Sequence, residues 1–179
     1  MRFPQLTSVE EFVAWEEQQD EKYEFAGGVV SLFPGATARH EIIILNLAIA
    51  IRSILAAGHV RTSGLKQFTR TSSRYPDVSV TFDPRDTVEQ TYARYPSLLI
   101  EVLSPSTHRT DRGPKSQEYR SIETLREYVL VDSRKRWAQT VRRSGEKWAV
   151  SLPILSGSLC FEGIGLDVAF DALYAGTEL

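Results

Sequence analysis

The chain has 179 residues, 42% of them hydrophobic and 25% charged, with a formal net charge of −2. That length and mixture suit one domain spanning 1–179 and count against wholesale disorder, while the slightly negative charge argues against a histone-like, non-specific grip on nucleic acid. Cys160 is the only cysteine, which excludes an intramolecular disulfide and fits a reducing cytosol.

The opening residues turn acidic almost at once and lack the apolar centre of a signal peptide. No apolar run approaches the ~18 residues that span a bilayer, so a cytoplasmic protein without membrane attachment is expected. Thr7-Ser8-Val9-Glu10 has the spacing of a capping box and predicts a short acidic helix to about Gln19. Two β-prone pieces within Lys22 to Phe33, around Ala26-Gly27-Gly28, predict a hairpin. Thr37 is placed to cap a second helix from about Ala38 to Ala57, with Gly58 as its left-handed stop. Apolar residues cover most of that helix, so it is either packed deep or shared with a partner.

His59 to Thr69 reads as a strand, and Tyr75 to Phe82 as another that alternates after Pro76. The segment from Asp83 to Pro96 reads as an exposed connection. Leu98 to Leu103 is a short apolar run ended by Ser104-Pro105-Ser106, the pattern of a strand buried on both faces. Asp111-Arg112-Gly113-Pro114 reads as the start of a third helix reaching roughly Thr124. A strand at Glu127 to Val131, a hairpin pairing 136–143 with 147–152 across Ser144-Gly145, a strand near Leu159 and a short helix near 168–174 complete the chain. The plan is α/β or α+β, a mixed sheet flanked by helices.

Within this plan Glu101 is the anomaly, a carboxylate in the middle of Leu98-Leu99-Ile100-Glu101-Val102-Leu103. An unpaired ionised carboxylate buried there costs on the order of several kcal/mol unless a cation, donors or a metal satisfies it. Asp77 opens the preceding strand, on the face shared with Ser79 and Thr81. Two neighbouring strands that each deliver an acid form the minimum of a divalent-metal site of hard oxygen ligands. The alternative is structural: a turn or cap at Asp77, and an arginine partner for Glu101. Lys115, with Tyr119 one turn further on, is either a solvated first-turn lysine or a cation reaching back to the strand ends, with Asp111 helping through the same loop.

Pro76-Asp77, Leu99-Ile100-Glu101-Val102-Leu103-Ser104-Pro105-Ser106-Thr107, Asp111, Lys115, Tyr119 and Glu127 to Asp132 resemble the Uma-two family. These are restriction-endonuclease-like proteins of the PD-(D/E)xK nuclease superfamily. Tyr23-Glu24-Phe25, Gly27-Gly28 and Arg39-His40 are similar to that family too. The superfamily places lysine two residues after the second acid, where this chain has Leu103, and the resemblance implies that the lysine has moved to Lys115.

The same resemblance implies a restriction-endonuclease-like fold and a Mg²⁺-dependent endonuclease on DNA, Mn²⁺ being a possible substitute. Asp77, Glu101 and the Val102 carbonyl would hold the ion, and Lys115 would be catalytic. Glu24, His40, Asp111 and Tyr119 support them; Glu24 reads equally as an exposed acid, and His40 as a structural residue. Because an ammonium is no ligand, removing Lys115 is expected to leave metal binding and folding intact. A homodimer is expected from the apolar second helix, from Trp137 and Trp148, and from the dimeric nucleases the family resembles. Two other functions stay open: a non-catalytic nucleic-acid-binding or assembly module, and a metal-dependent hydrolase of small phosphoesters. The basic residues between Arg134 and Lys147 are either a solvated hairpin surface or a DNA contact.

Overall fold

The computed structural model describes residues 3–179. Its first half contains α1 (Val9–Glu16), β1 (Tyr23–Ala26), β2 (Val29–Leu32), α2 (Ala38–Ile54), β3 (His59–Thr62), β4 (Lys66–Phe68), β5 (Ser72–Arg74) and β6 (Val78–Thr81). Then come β7 (Tyr92–Ala93), β8 (Leu98–Leu103), α3 (His108–Thr110), a π-helical turn (Asp111–Lys115) and α4 (Ser116–Arg120). The chain ends with β9 (Glu127–Asp132), β10 (Ala138–Ser144), β11 (Lys147–Val150), β12 (Ser158–Phe161), β13 (Leu166–Ala169) and α5 (Phe170–Leu173).

Six strands form the main sheet in the order β11-β10-β9-β8-β6-β3. Within it β8 and β9 are parallel and β6 and β8 antiparallel. Strand periodicity sorts its side chains. Leu98, Ile100 and Val102 join Val78, Val80, Val129 and Val131 beneath α2, whereas Leu99 and Leu103 join Tyr119, Leu125 and Tyr128 on the opposite face. Ile43, Ile44, Leu47 and Ile51 of α2 are buried against the first group, each contributing about 1.5–3 kcal/mol of transfer free energy. Glu101 falls on the Leu99 face, towards α4.

The α+β class and mixed sheet match the sequence expectation, but a second, five-stranded sheet (β2-β1-β5-β4-β7) and a β12-β13 ribbon accompany it. The expected strand over 59–69 is therefore two strands, β3 and β4, one in each larger sheet. The connection after β6 is not simply exposed. Asp86 is buried within it, accepting hydrogen bonds from the Arg94 and Tyr95 amides, both at 2.9 Å. These bonds curl the segment so that β7 meets β4 in parallel.

Helix ends also shift. Ser8 rather than Thr7 caps α1, accepting from the Glu11 amide at 3.1 Å, and Glu11 reaches back to the Thr7 amide. Thr37 caps α2 as expected, but the helix stops at an extended Leu55. Gly58 instead has φ +91°, where a Cβ would lie 2.7 Å from the Thr81 carbonyl oxygen. Its task is close approach to β6, not helix termination.

The third helix departs most. It begins at His108, passes through the π turn that contains Pro114, and ends at Arg120. Pro114 has no N–H for a regular i→i−4 bond, and the widened turn accommodates it. Lys115 thus closes a turn inside the helical stretch and is buried, so it does not sit at an exposed helix start.

Candidate active site at the strand ends

Asp77 immediately precedes β6, and Val78 pairs with Ile100, so the register sets Asp77 beside Glu101 at one end of the main sheet. Glu24 arrives from β1, His40 from the first turn of α2, and Asp111 and Lys115 from the π turn. These six side chains and Arg74 line one cavity of about 680 Å³, walled further by Phe33 to Ala36 and by Ser104, Ser106 and Thr107. Among the described residues no helix is long and apolar enough to cross a membrane.

Lys115 is the hub. Its Nζ lies 3.2 Å from Glu24 Oε1, 3.2 Å from Glu101 Oε1 and 3.3 Å from Asp111 Oδ1. The π turn makes this possible by bringing residues 111 and 115 inward together. Tyr119 also donates to Glu101 Oε1, at 2.9 Å. Burial pulls the ammonium of Lys115 toward neutrality, but Glu101, Glu24, Asp111 and Asp77 together push its pKa above the ordinary lysine range.

The buried acids shift upward as well, which for a carboxyl favours the neutral form. Burial raises the Glu101 carboxyl well above its usual range; Lys115 opposes that shift, while Asp111, Asp77 and Glu24 reinforce it. Asp111 is raised too, chiefly by burial. Burial alone would lower His40, yet its hydrogen bond to Asp77 and the charges of Asp77 and Glu41 outweigh that and raise it. Its Nε2 lies 3.2 Å from Asp77 Oδ2, which also accepts the Val102 amide at 2.6 Å.

Every predicted site residue falls at this sheet end, and Glu24 is buried instead of being one more exposed acid. Arg74 and Glu118 were not foreseen. Arg74 donates twice to Glu118, both bonds at 2.8 Å, and once to Glu24 Oε2 at 3.1 Å. The available signal was its place three residues before Asp77 in a β-prone piece, with nothing local to suggest a carboxylate 44 positions away.

A divalent cation suits the donor set on three observations. Asp111 is 1% exposed, and among the described residues its carboxylate has no well-aligned hydrogen bond, only the shared Lys115 ammonium at 3.3 Å. Among the described residues, Oδ1 of Asp77 and Oε2 of Glu101 also lack hydrogen bonds, leaving each prospective ligand one uncommitted oxygen. Among the described residues, five carboxylates (Glu24, Asp77, Glu101, Asp111 and Glu118) have Lys115, Arg74 and His40 as their cationic partners. Among the described residues no three His, Cys, Asp or Glu side chains converge as a metal shell. A site of two carboxylates and a carbonyl, completed by water, is the Mg²⁺ pattern and requires no such trio.

The late basic residues do internal work. Arg142 bonds Glu127 at 2.8 Å, Glu162 at 2.6 Å and the Cys160 carbonyl at 2.6 Å. Arg143 donates to the carbonyls of Leu125, Ile122 and Arg120. Arg142 and Arg143 are thus bonded components of the fold, whereas Arg134, Lys135 and Lys147 stay exposed on the surface.

Comparison with known proteins agrees with this architecture. A family model described as "Uma2: Putative restriction endonuclease" matches residues 9–169. The chain belongs to the Uma2 family. An uncharacterized protein of Synechocystis is 36% identical over 97% of this chain and 94% of its own length. A second from the same organism is 32% identical over 71% of this chain and 75% of its own. A crystal structure from Anabaena variabilis, described as a putative nuclease of the DUF820 group, superposes with a TM-score of 0.77. It covers 93% of this chain and 97% of its own at 16% identity, a likeness of fold. The Uma2 chain thus has a nuclease-like architecture.

Proposed function

We propose that this Uma2 protein is a Mg²⁺-dependent endonuclease that hydrolyses DNA phosphodiester bonds, with Mn²⁺ as a possible substitute. The observation that carries the proposal is the surplus of buried carboxylate at one sheet end, shared by a single buried lysine. Asp77, Glu101 and the Val102 carbonyl would hold the ion, which when bound neutralises phosphate charge and lowers the pKa of water. Tyr119 fixes the Glu101 carboxylate from below, and His40 and the Val102 amide fix that of Asp77. Arg74 and the Tyr75 amide hold Glu24 against Lys115. Lys115 supplies the positive charge that stabilises negative charge developing on the phosphate oxygens.

The test is cleavage of single-stranded, duplex and branched DNA with Mg²⁺ or Mn²⁺, wild type beside Asp77→Ala. Metal-dependent cutting that vanishes in the variant supports the proposal. A wild type inert on all three substrates would favour the binding-module reading, and hydrolysis confined to small phosphoesters would favour the third.

A homodimer belongs to the same reading, each copy presenting a site to one strand of a duplex. Leu45 and Ile49 of α2 are 57% and 58% exposed, and β3 lies at the edge of the main sheet. Those features favour a second copy across the α2 and β3 face. Trp137 gives this no support, being buried in the core beside α4, with the half-buried Trp148 packed against that core. Light scattering should give twice the 20.2 kDa chain mass, falling to one chain on Leu45→Glu with Ile49→Glu. A wild-type monomer at micromolar concentration would remove the dimer. A cytosolic setting, where the lone thiol of Cys160 stays free, completes the reading.

A further inference from the structure

We propose that Lys115 is the resident cation of this acid cluster and that a divalent ion binds by displacing it. The inference rests on the metal-dependent reading above and adds a competition within the site. An ammonium buried to 3% exposure, 3.2–3.3 Å from Glu24, Glu101 and Asp111, occupies the centre of the acid cluster. A dication drawn to Glu101 and Asp77 meets that ammonium on the same Glu101 carboxylate. At separations of a few ångströms, charges of like sign in a buried site repel by far more than thermal energy. An ion that takes the uncommitted Glu101 Oε2 therefore drives the ammonium off Oε1.

Displacement has somewhere to lead. Lys115 lines the cavity, and its long stem can carry the ammonium from the acids into the open volume. Asp111, paired with Lys115 at 3.3 Å, stays behind as a carboxylate to which either cation can return. Binding of the ion and delivery of a positive charge toward the cavity become one event. This reverses the sequence expectation: removing the lysine should strengthen metal binding, although an ammonium is no ligand.

Lys115→Met keeps the stem and removes the charge, and Lys115→Arg keeps the charge. Mn²⁺ binding to the full chain, measured by calorimetry and by Mn²⁺ paramagnetic resonance, should tighten at least ~10-fold in Lys115→Met and stay near wild type in Lys115→Arg. Equal or weaker binding in Lys115→Met overturns the exchange and leaves metal dependence standing. Absence of Mn²⁺ binding from all three proteins removes the metal-dependent reading and the exchange together.

If Lys115→Met fails to fold, the wild type decides. Amine-selective labelling mapped by mass spectrometry should leave Lys115 protected without metal and label it at saturating Mn²⁺. Unchanged protection at saturation overturns the proposal.

Discussion

Glu101 and Glu127 stand on the adjacent parallel strands β8 and β9, both buried and both with carboxyls raised chiefly by burial. At Glu127 the demand for countercharge is met. Arg142 lies at 2.8 Å, the Gly163 amide donates at 3.3 Å, and Arg142 is anchored again by Glu162 and the Cys160 carbonyl. At Glu101 the demand is left open, because Lys115 is divided among three acids and Asp77 stands near as a fourth. A buried carboxylate with its own partner fastens β9, β10 and the turn after β12 together. One that must share a partner is held ready for a further cation.

If that contrast is right, catalysis and stability should separate between the two sites. The largest effect is expected from Lys115→Met, which should lower metal-dependent cleavage by roughly 10²–10³-fold, the range for losing one preorganised stabilising group. A single-turnover assay at saturating Mn²⁺ checks it, and near-wild-type cleavage would make Lys115 a structural residue.

Arg142→Met should do the reverse. Leaving Glu127 without its charged donor should reduce unfolding free energy by about 1–3 kcal/mol in urea, with the cleavage rate per folded molecule unchanged. An equal loss of rate would erase the distinction between the two carboxylates.

Glu101→Gln probes the open demand through pH. The unfolded chain releases the Glu101 proton around the usual 4.5, whereas the fold retains it to higher pH. Wild-type stability attributable to this group therefore falls as pH rises above about 4.5 toward the raised value, because the folded state binds the extra proton. The glutamine variant lacks that decline, so its denaturation curves should diverge favourably from wild type above that pH and run parallel below it. Parallel curves throughout would mean that Lys115 already balances Glu101 fully. The smallest effect is expected at exposed Lys147, where alanine should change stability by less than ~0.5 kcal/mol.

How much of this was visible in the chain depends on the range of the interaction. Glu101 was legible because a charge inside an apolar strand contradicts its immediate neighbours, and Thr37 because a cap acts over three residues. The Asp77–Glu101 adjacency came from two neighbouring strands. The second sheet was not legible, since a turn at Ser63-Gly64 divides what reads as one β-prone stretch. Nor was Asp86, whose burial depends on amides eight and nine residues onward. Arg74 was hidden because Glu24 and Glu118 are 50 and 44 positions away. Lys115 was recognisable as a candidate, but its burial and triple sharing required the π turn, which no local pattern announced.

That turn also makes the site sensitive to length. A wide turn amounts to one additional residue inserted into an otherwise regular helix. Removing Gly113, which has open space around it, would let the segment relax to ordinary winding and leave the helix on either side in much the same orientation, because the wide turn absorbs that residue. Tyr119 would keep its place on Glu101, whereas the four-residue spacing that turns Asp111 and Lys115 inward together would shrink to three. Relatives that lack one residue in this stretch are therefore expected to lose the Asp111–Lys115 pairing first, and spacing is as much a signature of the site as the residues it separates.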